Sequence, residues 1–333
     1  MLKRVFPLLC LGLLAAPAFA QTDAEAAAAP ETVQEKVVVV GQRPGPGLWK
    51  ISRGDHVLWV FGTHAPLPKN MEWRAHEIDA ILARTQEFLQ PPAARTEVGM
   101  FRMVTLIPYA FNLTKNPDGA KLRDLLPPEV YARWLLLKAK YIGVNEGIER
   151  ERPLFAASEL YRQGLLKAGL GDDLQVRQTI NKLVEKNKIK VTSSSVALAL
   201  DDPAKLMKDF KKGSLDDVAC FSKTLDQLET EIDTMRVRAL AWAKGDLEGI
   251  RKVGFADREE SCKSAMMNST AIKGQPGFQL MRERMLGAWM AAAETALANN
   301  ATTFATVQLK DILDPRGPVA ALQAKGYAVV APD

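Results

Sequence analysis

GLWKISRGDHVLWVFGTHAPLPKNMEWR, residues Gly47–Arg74, is the stretch from which the fold can be read. Leu48, Lys50 and Ser52 alternate with Trp49 and Ile51, as in a strand with two unlike faces, and Arg53-Gly54-Asp55 supplies turn chemistry. Val57 to Phe61 is continuously apolar, which predicts a second strand buried on both faces. It runs into Gly62-Thr63-His64, a small-residue exit of the kind where α/β sheets place their sites. Pro66 and Pro68 prevent an early helix, and Asn70 reads as the N-cap of a helix from Met71.

Outward from this hairpin, Glu72 to Arg84 is expected to be helical, with Ile78, Ile81 and Leu82 on one face. Phe88-Leu89 starts a short strand that Pro91-Pro92 ends, and Met100 to Phe111 is an apolar segment interrupted by Pro108. Helices open at Pro127-Pro128-Glu129 and at Pro153. Gly169 to Thr192 reads as loop, helix and strand, with Ile189 and Val191 in the strand. In the helical stretch 203–244, Phe221, Leu225, Leu228, Ile232, Met235, Ala239 and Trp242 recur at helical spacing as one continuous apolar seam. A long core helix is the first reading of that seam, and a docking helix or coiled coil is the alternative. Phe278 to Ala298 is a second long helix. Thr303–Leu309, Pro318–Lys325 and Tyr327–Val330 then complete a strand–helix–strand tail. The result is an α/β fold: one central sheet with strands from both chain ends and a mostly helical middle.

Composition bounds the function. The chain has 333 residues, of which 47% are hydrophobic and 25% charged, ordinary values for a globular protein. Its formal charge of +5 is dispersed rather than concentrated in a basic stripe, which argues against nucleic acid. Residues 1–20 read as a signal peptide: Lys3-Arg4, an apolar run from Val5 to Ala15, and the Ala18-Phe19-Ala20 cleavage site. Residues 21–46 are a low-complexity linker, and 47–333 the folded domain. After cleavage no transmembrane segment is expected, so the product is periplasmic or secreted. Two cysteines then remain, Cys220 and Cys262. An even count without CxxC in an oxidising compartment favours a structural disulfide, with two buried thiols as the alternative.

Leu48-Trp49-Lys50, Phe61-Gly62-Thr63, Leu67-Pro68-Lys69 and Glu72-Trp73-Arg74 fall in register with the opening "LWKV…G…LYLFGTIHLLPKG…EWR" pattern of the TraB/PrgY/GumN family, relatives of the Tiki proteases. The resemblance extends more weakly over residues 47–331, and Trp242-Ala243-Lys244-Gly245-Asp246 is similar to the family's "W..GD" element. It implies a single TraB/GumN-like domain and a divalent-metal centre built from two G-x-x-H motifs and an acidic residue. Here Gly62-Thr63-His64-Ala65 puts Ala65 at the first metal-histidine position, with His64 one place early. Gln90 stands at the acidic position, and Asp311 replaces the C-terminal histidine. With these departures the resemblance implies a pseudoenzyme, with no cofactor and no metal, that binds a protein or peptide ligand or serves the cell envelope structurally. The alternative is a residual metal-dependent hydrolase or peptidase whose rearranged centre uses His64 and Asp311, or a different centre completed by residues from elsewhere such as Glu87 or Glu97. A third reading is a helical interaction module that uses the seam.

Other catalytic signatures are missing. His76-Glu77-Ile78-Asp79-Ala80 is half of HExxH, with Ala80 where the second histidine must stand. No G-x-S-x-G and no P-loop occurs, and the chain has 3 histidines, which leaves serines few possible bases.

Overall fold

The structure is a computed structural model that describes residues 45–255 and 258–332. The expected signal peptide and almost all of the linker lie outside the described residues.

The opening hairpin forms as the alternation predicts. β1 (Leu48–Arg53) pairs antiparallel with β2 (His56–Thr63), Arg53 opposite His56, and Gly54 takes the turn at φ 62°, where a side chain would be strained. Further along the chain come β3 (Leu67–Pro68), β4 (Glu87–Leu89), β5 (Ala94–Thr96), β6 (Leu170–Gly171) and β7 (Lys190–Thr192). β8 (Val196–Leu198), β9 (Thr302–Gln308) and β10 (Ala328–Val330) complete the set. Six of them make one mixed sheet in the order β10-β1-β2-β9-β4-β7. β2, β9, β4 and β7 are mutually parallel, so their carboxyl ends share one edge. The C-terminal β9 inserts between N-terminal strands, which is how both chain ends build the sheet. Beyond the shared edge, β5 and β8 resume the parallel pairing of β4 and β7, while β3 pairs with β6.

Two large apolar cores follow from the patterning, beside a small cluster of Leu154, Cys220 and Ala265. One packs Leu58, Val60, Phe61, Phe304 and Val307 of the sheet against helices that contribute Trp242 and Trp289. The other lies in the helical middle around Leu122, Trp134, Leu160, Phe221 and Leu225. A charge is buried in this second core. Glu149 accepts hydrogen bonds from Trp134 Nε1 at 3.0 Å, Lys138 Nζ at 2.8 Å and Tyr131 Oη at 3.3 Å. A carboxylate so fully partnered avoids most of the desolvation penalty.

The structure corrects several expectations. Asn70 caps no helix: it sits at φ 62°, and the helix runs only over His76–Leu82, so Glu72 to Ala75 are non-helical. The left-handed turn at Asn70 sends the chain elsewhere before helical geometry can begin. Met100–Ala110 is a helix that accommodates Pro108. Ile189 precedes β7 instead of belonging to it, although it is buried. The apolar seam is two helices, Val218–Thr230 and Ile232–Ala243, broken at Glu231 (φ −111°, ψ 2°). Phe221, Leu225 and Leu228 enter the second core, and Ala239 and Trp242 the first. The seam is therefore spent on packing within the chain. The second long helix is likewise divided, into Pro276–Gln279 and Met281–Asn299.

Two aspartates cap helices. Asp202 Oδ1 accepts from Lys205 N at 2.9 Å at the head of the helix Pro203–Lys212. Asp217 instead caps across the fold, its Oδ2 accepting from Leu154 N at 2.8 Å in the first turn of the helix Pro153–Lys167. The two cysteines are joined, with Cys220 and Cys262 sulfurs 2.02 Å apart. The bond ties the helix Val218–Thr230 to the helix Arg258–Met267.

Candidate functional site

The carboxyl edge of the parallel strands carries the motif residues. Gly62 pairs with Val307 and Thr63 with Gln308, so β2 and β9 end side by side. Gly62 sits in a crowded place: a Cβ there would stand 3.1 Å from Leu309 Cδ1 and 3.2 Å from the Trp49 ring, so those side chains would have to shift. Its carbonyl accepts from Trp242 Nε1 at 2.7 Å, which anchors the strand exit to the helix Ile232–Ala243. Thr63 is buried, with its hydroxyl 3.5 Å from the Val307 carbonyl.

His64 turns inward at this exit and is only 5% exposed. Its Nε2 is buried without a hydrogen-bond partner. The Phe255 ring meets it edge-on at 6.1 Å. Burial, and secondarily the charge of Arg238, push its pKa down from 6.5 to about 4, so the imidazole is neutral at neutral pH. Arg238 is itself 4% exposed, its Nε without a hydrogen-bond partner and its guanidinium 5.3 Å from the centre of the Phe255 ring. Burial lowers the pKa of Arg238, opposed by the charge of Glu231 and by Tyr161. An arginine remains cationic even so.

A second arginine continues the cluster. Arg258 lies 3.9 Å over the Tyr161 ring, and its Nε donates to Thr224 Oγ1 at 2.9 Å. Thr224 in turn donates to the Cys220 carbonyl at 2.8 Å, which links this arginine to the disulfide-bonded turn of helix. Burial raises the Tyr161 pKa, and Arg258 and Arg238 oppose the rise.

The remaining motif positions do not close around His64. Ala65 and Gln90 are exposed, and the backbone N–H of Gln90 donates to the Thr192 carbonyl at 3.0 Å. Asp311 is half-buried on the short helix Leu309–Leu313 that follows β9. Burial raises its pKa, against the charges of Lys310 and Arg282. Lys310 itself pairs with Glu259. Glu87 lies at the opposite end of the sheet from His64, level with Thr303, while Thr63 is level with Gln308. It is consumed there by Thr192, by Asn300 at 2.6 Å and by Lys190 at 3.2 Å. Glu97 is exposed and paired with Arg95 at 3.1 Å. Among the described residues no group of three or more His, Cys, Asp and Glu side chains could hold a metal ion.

The donor set thus fits a divalent metal poorly. A neutral imidazole offers one lone pair, the guanidinium of Arg238 repels a second cation, and among the described residues no set of three such ligands assembles. A groove of about 660 Å³ opens immediately beyond this edge, walled by Leu67, Met71, Trp73, Tyr161, Leu165 and Leu170. Tyr161 belongs to both the groove and the arginine cluster.

His64 was legible as a motif residue, whereas Arg238, Phe255, Arg258 and Tyr161 were not singled out. Arg238 carried a usable signal. It lies three residues after Met235 and four before Trp242, on the buried side of an apolar seam, where an arginine is out of place. No curated protein and no solved structure matches the chain. The family model described as TraB/PrgY/gumN matches residues 47–331, most of the chain, with the strand exit, groove and arginine cluster all inside the match. The chain belongs to the TraB/PrgY/gumN family.

Proposed function

We propose that this family member is exported and non-catalytic, and that it binds a peptide segment in the groove beyond β2. The observation that carries the reading is the buried His64 imidazole, its Nε2 without a partner and under the charge of Arg238. The strand-exit imidazole faces a buried guanidinium and an aromatic ring, a setting that discourages a cation. Ala65, Gln90 and Asp311 supply one good metal ligand between them, which supports a binding role over hydrolysis. The groove supports a ligand with apolar side chains, since Leu67, Met71, Trp73 and Leu170 wall it and Lys69, Arg162 and Asp172 stand at polar positions in its lining. Export is supported by the signal-like residues 1–20 and by the Cys220–Cys262 bond, which persists in oxidising compartments.

The test is a peptide-library binding screen on the purified, oxidised chain, paired with a peptidase assay with and without added manganese, cobalt or zinc. The account expects bound peptides that remain intact and lose affinity in Leu174→Arg, which places a charge at an exposed position of the groove lining. Metal-stimulated cleavage abolished by His64→Ala or Asp311→Ala overturns it in favour of a Tiki-type hydrolase. Peptide binding untouched by Leu174→Arg overturns the groove assignment.

A further inference from the structure

The helix Met100–Ala110, MFRMVTLIPYA, is apolar in sequence yet lies at the surface. Phe101 is 92% exposed, Val104 61%, Ile107 65% and the following Phe111 72%. These residues recur at intervals of three, three and four, so they share one outward face. Leu106 and Tyr109 are half-buried on the inner side. Scattered single exposed apolar side chains are normal, but a contiguous row of this size marks an interaction surface.

Charge decides what kind. The helix packs beside Pro203–Lys212, whose Lys205, Lys208, Lys211 and Lys212 outnumber its single acid, Asp209. Lys208 Nζ stands 4.9 Å over the Tyr109 ring, and Lys211 Nζ donates to the Phe111 carbonyl at 2.7 Å. Immediately after Phe111 the surface sinks into a hollow of about 640 Å³ whose wall includes Lys115, Arg150, Lys211 and Lys212, with Asp118 as its acid. An exposed apolar helix that ends in a cationic hollow matches the two layers of a bilayer surface, acyl chain beside phosphate headgroup. At 11 residues the helix lies on a membrane rather than spanning it, and no described helix is long and apolar enough to cross one.

We infer that the helix Met100–Ala110 and the adjoining basic hollow form a docking surface for a bilayer that carries anionic phospholipid. The apolar row enters the headgroup boundary, and Arg150, Lys211 and Lys212 face the phosphates, while Lys115 is held by Glu151 at 2.5 Å. Vesicle flotation tests this with the purified chain and two preparations, phosphatidylcholine alone and phosphatidylcholine mixed with phosphatidylglycerol. Binding is expected only to the anionic vesicles and weakens as salt is raised. The double substitutions Phe101→Asp with Ile107→Asp and Lys211→Gln with Lys212→Gln each reduce it about tenfold or more. Phe101, Ile107 and Lys212 are exposed and Lys211 is half-buried, so far-UV circular dichroism, which should be unchanged, is recorded for every variant. As a second readout that does not depend on weakened binding, Ile107→Trp should show blue-shifted fluorescence on anionic vesicles. Equal binding to both vesicle types, no binding at all, or binding indifferent to both double substitutions overturns the inference. So does self-association abolished by Phe101→Asp with Ile107→Asp in a chain that ignores vesicles, which would make the face a protein contact.

Discussion

Replacing His64 by glutamine should flatten the pH dependence of stability between pH 6.5 and 4. In the native state the imidazole is held neutral, its pKa lowered from 6.5 to about 4 by burial and then by Arg238. In the unfolded chain it protonates near its ordinary value. The unfolded state therefore binds more protons across that window, and stability rises with pH there. The contribution is fully present above about 6.5 and is lost as pH falls towards about 4; below both values it changes no further. A displacement of that size corresponds to about 3 kcal/mol. Glu87, Glu159 and Asp314, whose pKa values are lowered, and Asp217 and Asp311, whose values are raised, also titrate in acid. They are common to both proteins, so the difference between wild type and His64→Gln isolates the imidazole. Arg238→Met should reduce the slope without abolishing it, since burial is the larger cause. Urea denaturation at several pH values from 7 down to the acid limit measures the effect. Parallel stability curves for wild type and His64→Gln would refute the reasoning.

Breaking the Cys220–Cys262 bond in the paired serine variant removes a closure of 42 residues and should cost roughly 4 kcal/mol, seen as a lower denaturation midpoint. Peptide mapping without reductant should recover the two cysteines linked. Trp242→Phe deletes the 2.7 Å donor to the Gly62 carbonyl inside the core and should cost about 1–3 kcal/mol by chemical denaturation. Gly317→Ala places a Cβ 1.8 Å from the Asp311 carbonyl, a backbone clash that should lower stability by about 1–3 kcal/mol; a neutral result would contradict the packing of this turn.

Much of the sheet was legible because its signals are local. The β1–β2 hairpin follows from alternation and a Gly-Asp turn, and β9 and β10 from short apolar runs bounded by turn residues. Where the reading failed, a backbone angle had overruled periodicity. Asn70 adopts positive φ and delays the helix to His76, and Glu231 breaks a seam whose spacing carries no trace of the kink. The site divides in the same way. His64 and Asp311 could be found by position in a motif, but Arg238 comes from a segment some 170 residues away and meets the strand exit only after folding, and Arg258, further on, meets Tyr161 in the same way. Sequence spacing fixes which face of a helix is apolar; it does not say which polar residue that face will carry inside.

The central claim, that the strand-exit edge has lost its capacity for metal, is tested most directly by calorimetric titration of the oxidised chain, freed of metal by dialysis, with manganese, cobalt and zinc. The account predicts no stoichiometric binding by any of the three, with heats unchanged in His64→Ala and Asp311→Ala. One tightly bound ion per chain, lost in either variant, would contradict it.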